Sequence, residues 1–585
     1  MQARADMDSI AERLEEQYPE GSANLKISVV PLREQYTGSA KPILRVLAGV
    51  VGILLLISCV NIAQLLLARA TGRRKEIALR AALGAGRGRV LRQLLTESLV
   101  LGLAGAILGA ALSTVAFTFL ARLIPDNFPQ GTTLALDPVV LLFAATVGVL
   151  TSVAFGLGPS LAASRFNLND ALKQSKMFGP GGRRRKIRSA LVVVEVSMSA
   201  VLLVAATLLL RSYHQLSSVE LGLSTEGLWI IETPLSTSRY RDSQRRSELA
   251  SGVIERISAL SGVVSAGYVN YAPLVFKGGR AGFLIEGRPM PAPNQFPQQI
   301  VSDRVVSPGY FSTIGVPVLS GRPFEERDGP ASVPGVLINQ TMARMFWGDE
   351  NPLGQRIRLS GSNTARWLTI IGVVGDMRQM GLELVPQPEM YLSFNQLPAE
   401  VPPFFWPRYL AVRTEGVDPI KLAAQVRHAV ASIDPNQPVS SIRSMRNVID
   451  SELVNRNTQL ILVGAFSVLA LLLAGIGLYG VLAYDVAQRK PEIGLRMALG
   501  ATGSRVLSSV LRRTLLLTSV GVLIGLAAAA AVTRVLRAFL YEVTPTDPAA
   551  FAMVAIALFA VALIACWAPA RQATRVDPIV ALRSD

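Results

Sequence analysis

Six long stretches of this chain, residues 46–68, 98–121, 138–164, 458–484, 514–533 and 548–570, contain no Asp, Glu, Lys or Arg. As helices rising about 1.5 Å per residue, each is long enough to cross about 30 Å of hydrocarbon. A seventh run, 189–210, carries one carboxylate, Glu195. Half of all residues are hydrophobic and only 17% are charged, which fits neither a disordered chain nor an ordinary soluble enzyme. The apolar residues belong in lipid. The expected fold is an α-helical polytopic membrane protein of about seven transmembrane helices.

The chain has 58 Lys and Arg against 41 Asp and Glu, a net charge of +17. Such an excess suits nucleic acid only if it forms one continuous surface, and here it does not. Residues 69–92 hold eight basic and one acidic side chain, as do 165–188; residues 485–513 hold six and two, and 571–585 three and two. Elsewhere 33 basic residues face 35 acidic ones, so the whole excess sits in alternate loops. That is the positive-inside pattern, and it places these four segments, the last containing the C-terminus, in the cytoplasm. Residues 1–42, the loop near 125–137, the long stretch 213–455 and the loop 537–547 then face outward. The basic segments lack the regular interleaving of aromatic residues that a nucleic-acid groove requires, and no nucleic-acid partner is expected.

Several chemistries lack raw material. The only cysteines, Cys59 and Cys566, lie inside expected spans, where they read as small packing residues. Two histidines, His214 and His428, cannot build a His-based metal cluster, and no metal or cofactor site is expected. No GxxxxGK[ST] phosphate loop occurs, so any ATP-driven work needs another subunit.

The chain repeats itself. A shift of 416 residues aligns Glu76, Ile77, Leu79 and Arg80 with Glu492, Ile493, Leu495 and Arg496, and Gly84 and Ala85 with Gly500 and Ala501. Between Glu76 and Leu91, 11 of 16 positions are identical to their counterparts. The same shift pairs Gly105 and Gly109 with Gly521 and Gly525. A shift of 410 then pairs Asp137-Pro138 with Asp547-Pro548. Ahead of the first repeat, residues 6–18 read as an amphipathic helix and 25–30 as a strand, matching 419–433 and 438–442 ahead of the second. Residues 1–42 are therefore expected to be the C-terminal remnant of a first extracytoplasmic domain, from a parent with eight spans and two such domains.

Residues 212–456 form the complete outer domain. Short β-branched runs at 228–231, 263–269, 301–306, 336–338, 368–374 and 409–412 read as strands, and 244–260 and 419–433 as helices, giving an α+β extracytoplasmic domain. It shows no catalytic spacing, and Asp328 and Asp376 read as turn or surface residues.

The repeated cytoplasmic segment is the most informative feature. Each copy is short, helix-prone, too poor in apolar residues to span, and ends at a glycine. It reads as an interfacial helix offering Arg80 or Arg496 to an acidic partner. Gly105/Gly109 and Gly521/Gly525 are GxxxG pairs that let helices approach closely. Asn61 and Gln64 are expected to hydrogen-bond between helices. Glu195 is costly in lipid unless it is paired, faces an interior or reaches toward the basic run 183–186.

These residues resemble the FtsX-like, MacB-type ABC transporter permeases in their duplicated, fused form. The resemblance rests on the order span, outer domain, three spans and on the segment from Arg489 to Ala501. The phrases Ser307-Pro-Gly-Tyr-Phe311, Gly321-Arg-Pro-Phe324, Asn351-Pro-Leu-Gly354 and Gly372-Val-Val-Gly-Asp376 support it. It implies one permease unit at 43–175, a basic linker at 176–188, a span at 189–211, a MacB-like domain at 212–456 and a second unit at 457–585. It also implies a bacterial inner-membrane subunit without catalysis of its own, working with an ABC ATPase dimer that carries the ATP and magnesium. Glu76, Ile77, Arg80, Gly84, Ala85 and their counterparts Glu492, Ile493, Arg496, Gly500, Ala501 would dock that ATPase. Movement would pass to the outer domain by mechanotransmission, and a periplasmic adaptor or outer-membrane partner is compatible with the resemblance. The alternative is a membrane-anchored sensor or scaffold without an ATPase.

Overall fold

A computed structural model of the chain describes residues 2–17, 27–32, 34, 38, 40–72, 87–121, 137–164, 181–235, 239–288, 299–360, 366–398, 401–416, 419–488, 493, 497–499 and 502–574. In chain order the elements begin with α1 (Gln2–Gln17), α2 (Ala40–Gly72), α3 (Arg87–Ala121), α4 (Pro138–Ser164) and α5 (Gly181–Ser217). The outer domain follows with β1 (Leu228–Glu232), α6 (Ser243–Ser258), β2 (Val263–Val269), β3 (Ala281–Ile285), β4 (Ile300–Val306) and α7 (Tyr310–Ile314). It continues through β5 (Val318–Gly321), β6 (Gly335–Asn339), α8 (Gln340–Trp347), β7 (Arg356–Leu359), β8 (Leu368–Val374) and β9 (Glu389–Ser393). Then come β10 (Tyr409–Thr414), α9 (Pro419–Ala431), β11 (Ser441–Ser444), α10 (Met445–Gln488), α11 (Gly503–Val532) and α12 (Pro548–Thr574).

The chain divides into two compact units. One comprises residues 1–35 and 216–455, the other 36–215 and 456–585. In the second unit each expected apolar run lies in a helix. Among the described residues, six of these helices hold a stretch long and apolar enough to cross a membrane, and α4 contributes a shorter apolar segment, Pro138–Thr151. The most enclosed is α5: Val192, Val196, Ala200, Val204 and Leu208 pack against α10, α11 and α12. Its Leu202 and Leu209 pack with Val50 and Ile57 of α2 and Val463 and Ala470 of α10.

The repeated Asp-Pro pairs start two of these helices in the same way. Asp137 accepts a hydrogen bond from the Val139 amide at 2.8 Å, and Asp547 from the amides of Ala549 and Ala550 at 2.9 and 3.2 Å. The carboxylate satisfies amides that have no partner in the first turn, and the proline occupies the position that needs no amide proton.

In the outer domain all six expected strands form, as β1, β2, β4, β6, β8 and β10, and the sequence reading missed β3, β5, β7 and β9. The sheet runs β11-β1-β10-β2-β4-β3-β7-β8-β6-β9, with β5 on β8. Because β4 also pairs with β9 in parallel, β4, β3, β7, β8, β6 and β9 close into a ring. The strands flanking α6 are not neighbours, since β10 lies antiparallel between β1 and β2. On α6, Leu249, Val253 and Ile257 recur every four residues and bury one face; Leu422, Val426 and Val430 do so on α9. Each such side chain contributes about 1.5–3 kcal/mol by leaving water.

At the N-terminus α1 is a helix as expected, but the described part of the expected strand, 27–30, is not a strand. The equivalent β11 is held by pairing with β1, and among the described residues no strand pairs with 27–30. A lone extended segment has no ladder to stabilise it.

Candidate functional site

Of the twin repeated segments, the first copy, including Glu76, Ile77, Arg80, Gly84 and Ala85, lies outside the described residues, as do Glu492, Arg496, Gly500 and Ala501. In the second copy Ile493 is buried against Val486, Met497 and Val510. Leu499 is 79% exposed. Asp485 of α10 pairs with Arg513 of α11 at 2.7 Å. Ile493 thus packs on Val486 of α10 and Val510 of α11, and Leu499 is left outward.

The two GxxxG pairs behave differently. A Cβ on Gly521 would come within 2.8 Å of the Val196 Cβ, and one on Gly525 within 2.6 Å of the Ala200 Cβ, so α11 presses directly on α5. A Cβ on Gly105 or Gly109 would meet nothing within 4 Å. Among the described residues, the packing expected from the motif is realised in the second copy alone, and no described helix lies on Gly105 and Gly109 as α5 lies on α11.

Glu195 is fully buried and accepts a hydrogen bond from Gln64 Nε2 at 3.1 Å; the basic side chains of 183–185 lie outside those described. Asn61 donates to the Leu473 carbonyl, also at 3.1 Å, so both amides bond between helices as expected. Cys59 and Cys566 are buried, free and packed. Among the described residues no group of His, Cys, Asp and Glu could hold a metal ion.

In the outer domain the four recurring phrases turn out to build the fold. Ser307 Oγ accepts from the Tyr268 amide at 2.8 Å, and Tyr310 and Phe311 are core residues. Gly321 has φ +77° and sits where a Cβ would lie 2.2 Å from the Ile371 carbonyl, so the turn requires glycine. The Leu353 amide donates to Asn351 Oδ1 at 3.1 Å. Asp376 accepts from the Thr341 amide at 2.8 Å and from its hydroxyl at 2.9 Å. Asp328 is a turn residue as expected, its amide donating to the Glu325 carbonyl at 2.9 Å, but it is buried: Arg322 grips it with two nitrogens at 2.7 and 2.8 Å, and this holds its carboxyl below the usual range.

One polar centre escaped the sequence reading. Glu389 on β9, 1% exposed, receives the Tyr391 hydroxyl at 2.6 Å, and the equally buried Arg304 of β4 lies 3.5 Å away. Burial pushes the Glu389 carboxyl up to about 7 despite Arg304 and Tyr391, which act to lower it, and raises Asp303 too. Arg304 also donates to the carbonyls of Gly278 and Asp303, both at 2.7 Å. The residues come from strands 85 positions apart, so no sequence spacing marks them.

Comparison with known proteins matches the two units separately. A model of the FtsX-like permease C-terminal region matches residues 48–168 and again 464–578, and a model of the MacB-like periplasmic core domain matches 190–429. The macrolide export ATP-binding/permease protein MacB of Azoarcus sp. (strain BH72) is 28% identical over 284 residues, covering 46% of this chain and 40% of that one. The pyoverdine export ATP-binding/permease protein PvdT of Pseudomonas syringae pv. syringae is 26% identical over 271 residues, with the same coverage. The ABC transporter permease YknZ of Bacillus subtilis is 26% identical over 224 residues, 38% of this chain and 54% of that one. The chain thus spans only part of the length of the curated relatives it matches. Among solved structures, the periplasmic region of MacB from Actinobacillus actinomycetemcomitans aligns with a TM-score of 0.28 at 15% identity, over 39% of this chain and 94% of that one.

Proposed function

With two FtsX-like permease units flanking a MacB-like periplasmic core domain, the chain belongs to the FtsX-like, MacB-type ABC transporter permeases, and on that premise we propose that it couples ATP hydrolysis on a separate ATPase dimer to movement of its outer domain in export. The observation that carries this reading is the twin cytoplasmic segment. Its 11 identities in 16 positions lie within the two matched permease regions, while the spans around it differ. A surface used twice suits a dimeric partner with two equivalent grooves, and joining both handles in one chain raises their effective concentration.

The unbroken helices α5 and α10 support mechanotransmission. Each is a single helix with residues in both units, and α10 starts at Met445, whose side chain is fully buried. A helix without a break resists bending where a loop would absorb the movement. ATP and magnesium belong on the partner in this reading, the basic segments and the C-terminus lie in the cytoplasm of a bacterial inner membrane, and an adaptor on the outer side is compatible. The exports named for MacB and PvdT indicate a class of activity and leave the cargo open.

Co-purification from membranes with the ATPase tests the docking. Replacing both Arg80 and Arg496 with Glu is expected to abolish association, and either change alone to weaken it. Intact association of the double variant sinks the assignment of these segments.

A further inference from the structure

Three oxygens buried in the membrane unit have no hydrogen-bond partner: Glu195 Oε1, Asn61 Oδ1 and Gln64 Oε1. They are close together. A Cβ on Gly477 would lie 2.3 and 2.5 Å from the two Glu195 oxygens and 2.5 Å from Asn61 Oδ1, so these three atoms converge on one patch of α10 that only glycine leaves free. Gln64 is tied to the same carboxylate through its nitrogen. Turning either amide over brings no positive charge. Rotating Asn61 would exchange its bond to Leu473 for one to the carboxylate, and rotating Gln64 would set oxygen against oxygen.

What the cluster lacks is therefore a donor or a positive charge. The titratable and charged groups on the helices around it include Cys59 on α2, Arg188 on α5, Tyr479, Tyr484 and Asp485 on α10, and Arg513 on α11; of these, Arg188 and Tyr484 line the cavity beside it. The two cations are engaged elsewhere, Arg188 lying 3.9 Å over the Tyr484 ring and Arg513 pairing with Asp485. A carboxylate with only the neutral amides of Asn61 and Gln64 for company is among the most costly groups that can be placed in a lipid-embedded bundle. A cavity of about 30 Å³, lined by Asn61, Gln64, Gly477 and Gly480, opens beside it toward Arg188 and Tyr484. That is enough for one guest the size of a water molecule.

We propose that Glu195, Asn61 and Gln64 form an intramembrane binding site for a single positive charge, supplied as a proton or as a small monovalent cation from the end of the bundle marked by Arg188 and Tyr484. A proton would turn Glu195 into a donor to an orphaned amide oxygen. A cation would take the oxygens as ligands. Either neutralises the cluster and ties α2, α5 and α10 together at one point, whereas a single bridging water would leave the charge in place.

The test uses the full chain in lipid nanodiscs, followed by thermal unfolding. One arm titrates pH with choline as the only added cation; the other varies Na⁺, Li⁺ or K⁺ against choline at fixed pH. Over the range in which the site loads, a tenfold rise in activity of the bound charge shifts the folded-to-unfolded ratio by up to tenfold. The wild type is expected to show that dependence and Glu195→Gln to lose it while staying folded. A response to pH in choline identifies the proton; a response to Na⁺ or Li⁺ that fades in acid identifies the cation. Equal responses of wild type and Glu195→Gln in both arms overturn the proposal. Should Glu195→Gln fail to accumulate, Asn61→Leu removes one acceptor and keeps the carboxylate: a displaced loading midpoint supports the site, and a curve superimposable on wild type overturns it.

Discussion

Ser197 of α5 donates its hydroxyl to the backbone carbonyl of Gly521 on α11 at 2.8 Å, a bond between helices that only the close approach at Gly521 and Gly525 permits. The single hydroxyl proton is shared with the Val193 carbonyl one turn back, at 2.7 Å. Side chains at either glycine would separate the helices and remove the bond to α11.

Gly525→Leu is therefore expected to destabilise the membrane unit by about 3 kcal/mol or more, the upper end of overpacking costs. Gly109→Leu, at the repeat-equivalent position with open space around it, is expected to change stability by less than about 0.5 kcal/mol. Thermal melts of the purified variants in detergent check this; equal losses for the two would mean that the helix contact is not the source of the effect.

Asp547 both caps α12 and pairs with Arg211 at the end of α5. Loss of a cap costs about 0.5–2 kcal/mol, whereas a partly exposed ion pair contributes about 0–1 kcal/mol. Asp547→Ala should thus lower the melting temperature more than Arg211→Ala. The opposite order would show that the ion pair dominates.

Glu389 gives the outer domain a specific pH dependence. Its carboxyl titrates at about 7 in the fold against an ordinary 4.5. Between these values the folded state retains a proton that the unfolded chain has released, so stability falls as pH rises from 4.5 to about 7 and levels off above. Asp328 and Asp434, both held below the usual range, act in the opposite sense at lower pH, losing their contribution as pH falls. Denaturant melts followed by the fluorescence of Trp229, Trp347 and Trp406 should show the falling limb in wild type and its loss in Glu389→Gln. Parallel curves for the two proteins would refute the assignment.

Phe283 on β3 is fully buried and meets Phe346 edge-on with ring centroids 5.0 Å apart. Phe283→Ala should cost about 3–5 kcal/mol in the same melts, as truncation of a buried aromatic does. A loss below about 1 kcal/mol would mean the site collapses around the smaller residue.

What the sequence alone determined about this protein is local or periodic. Uncharged runs placed the spanning helices, because hydrocarbon tolerates only apolar side chains and satisfied backbone over such lengths. Asp-Pro pairs marked two helix starts, since a cap and its first turn are contiguous in the chain. The strands β2 and β8, compact β-branched runs, were legible to the residue, while β5 and β7 were not, as four residues are too few to set an apolar run or an alternation apart from a loop. The tertiary structure alone decided which glycine pair meets a helix and what surrounds Glu195. Gln64 lies 131 positions from Glu195 and Gly521 lies 324 from Ser197. The two GxxxG copies share the same glycine spacing, so the motif could not tell the covered pair from the open one. Only the packing of α5 against α11 makes that difference, and no spacing records which helix will lie against which.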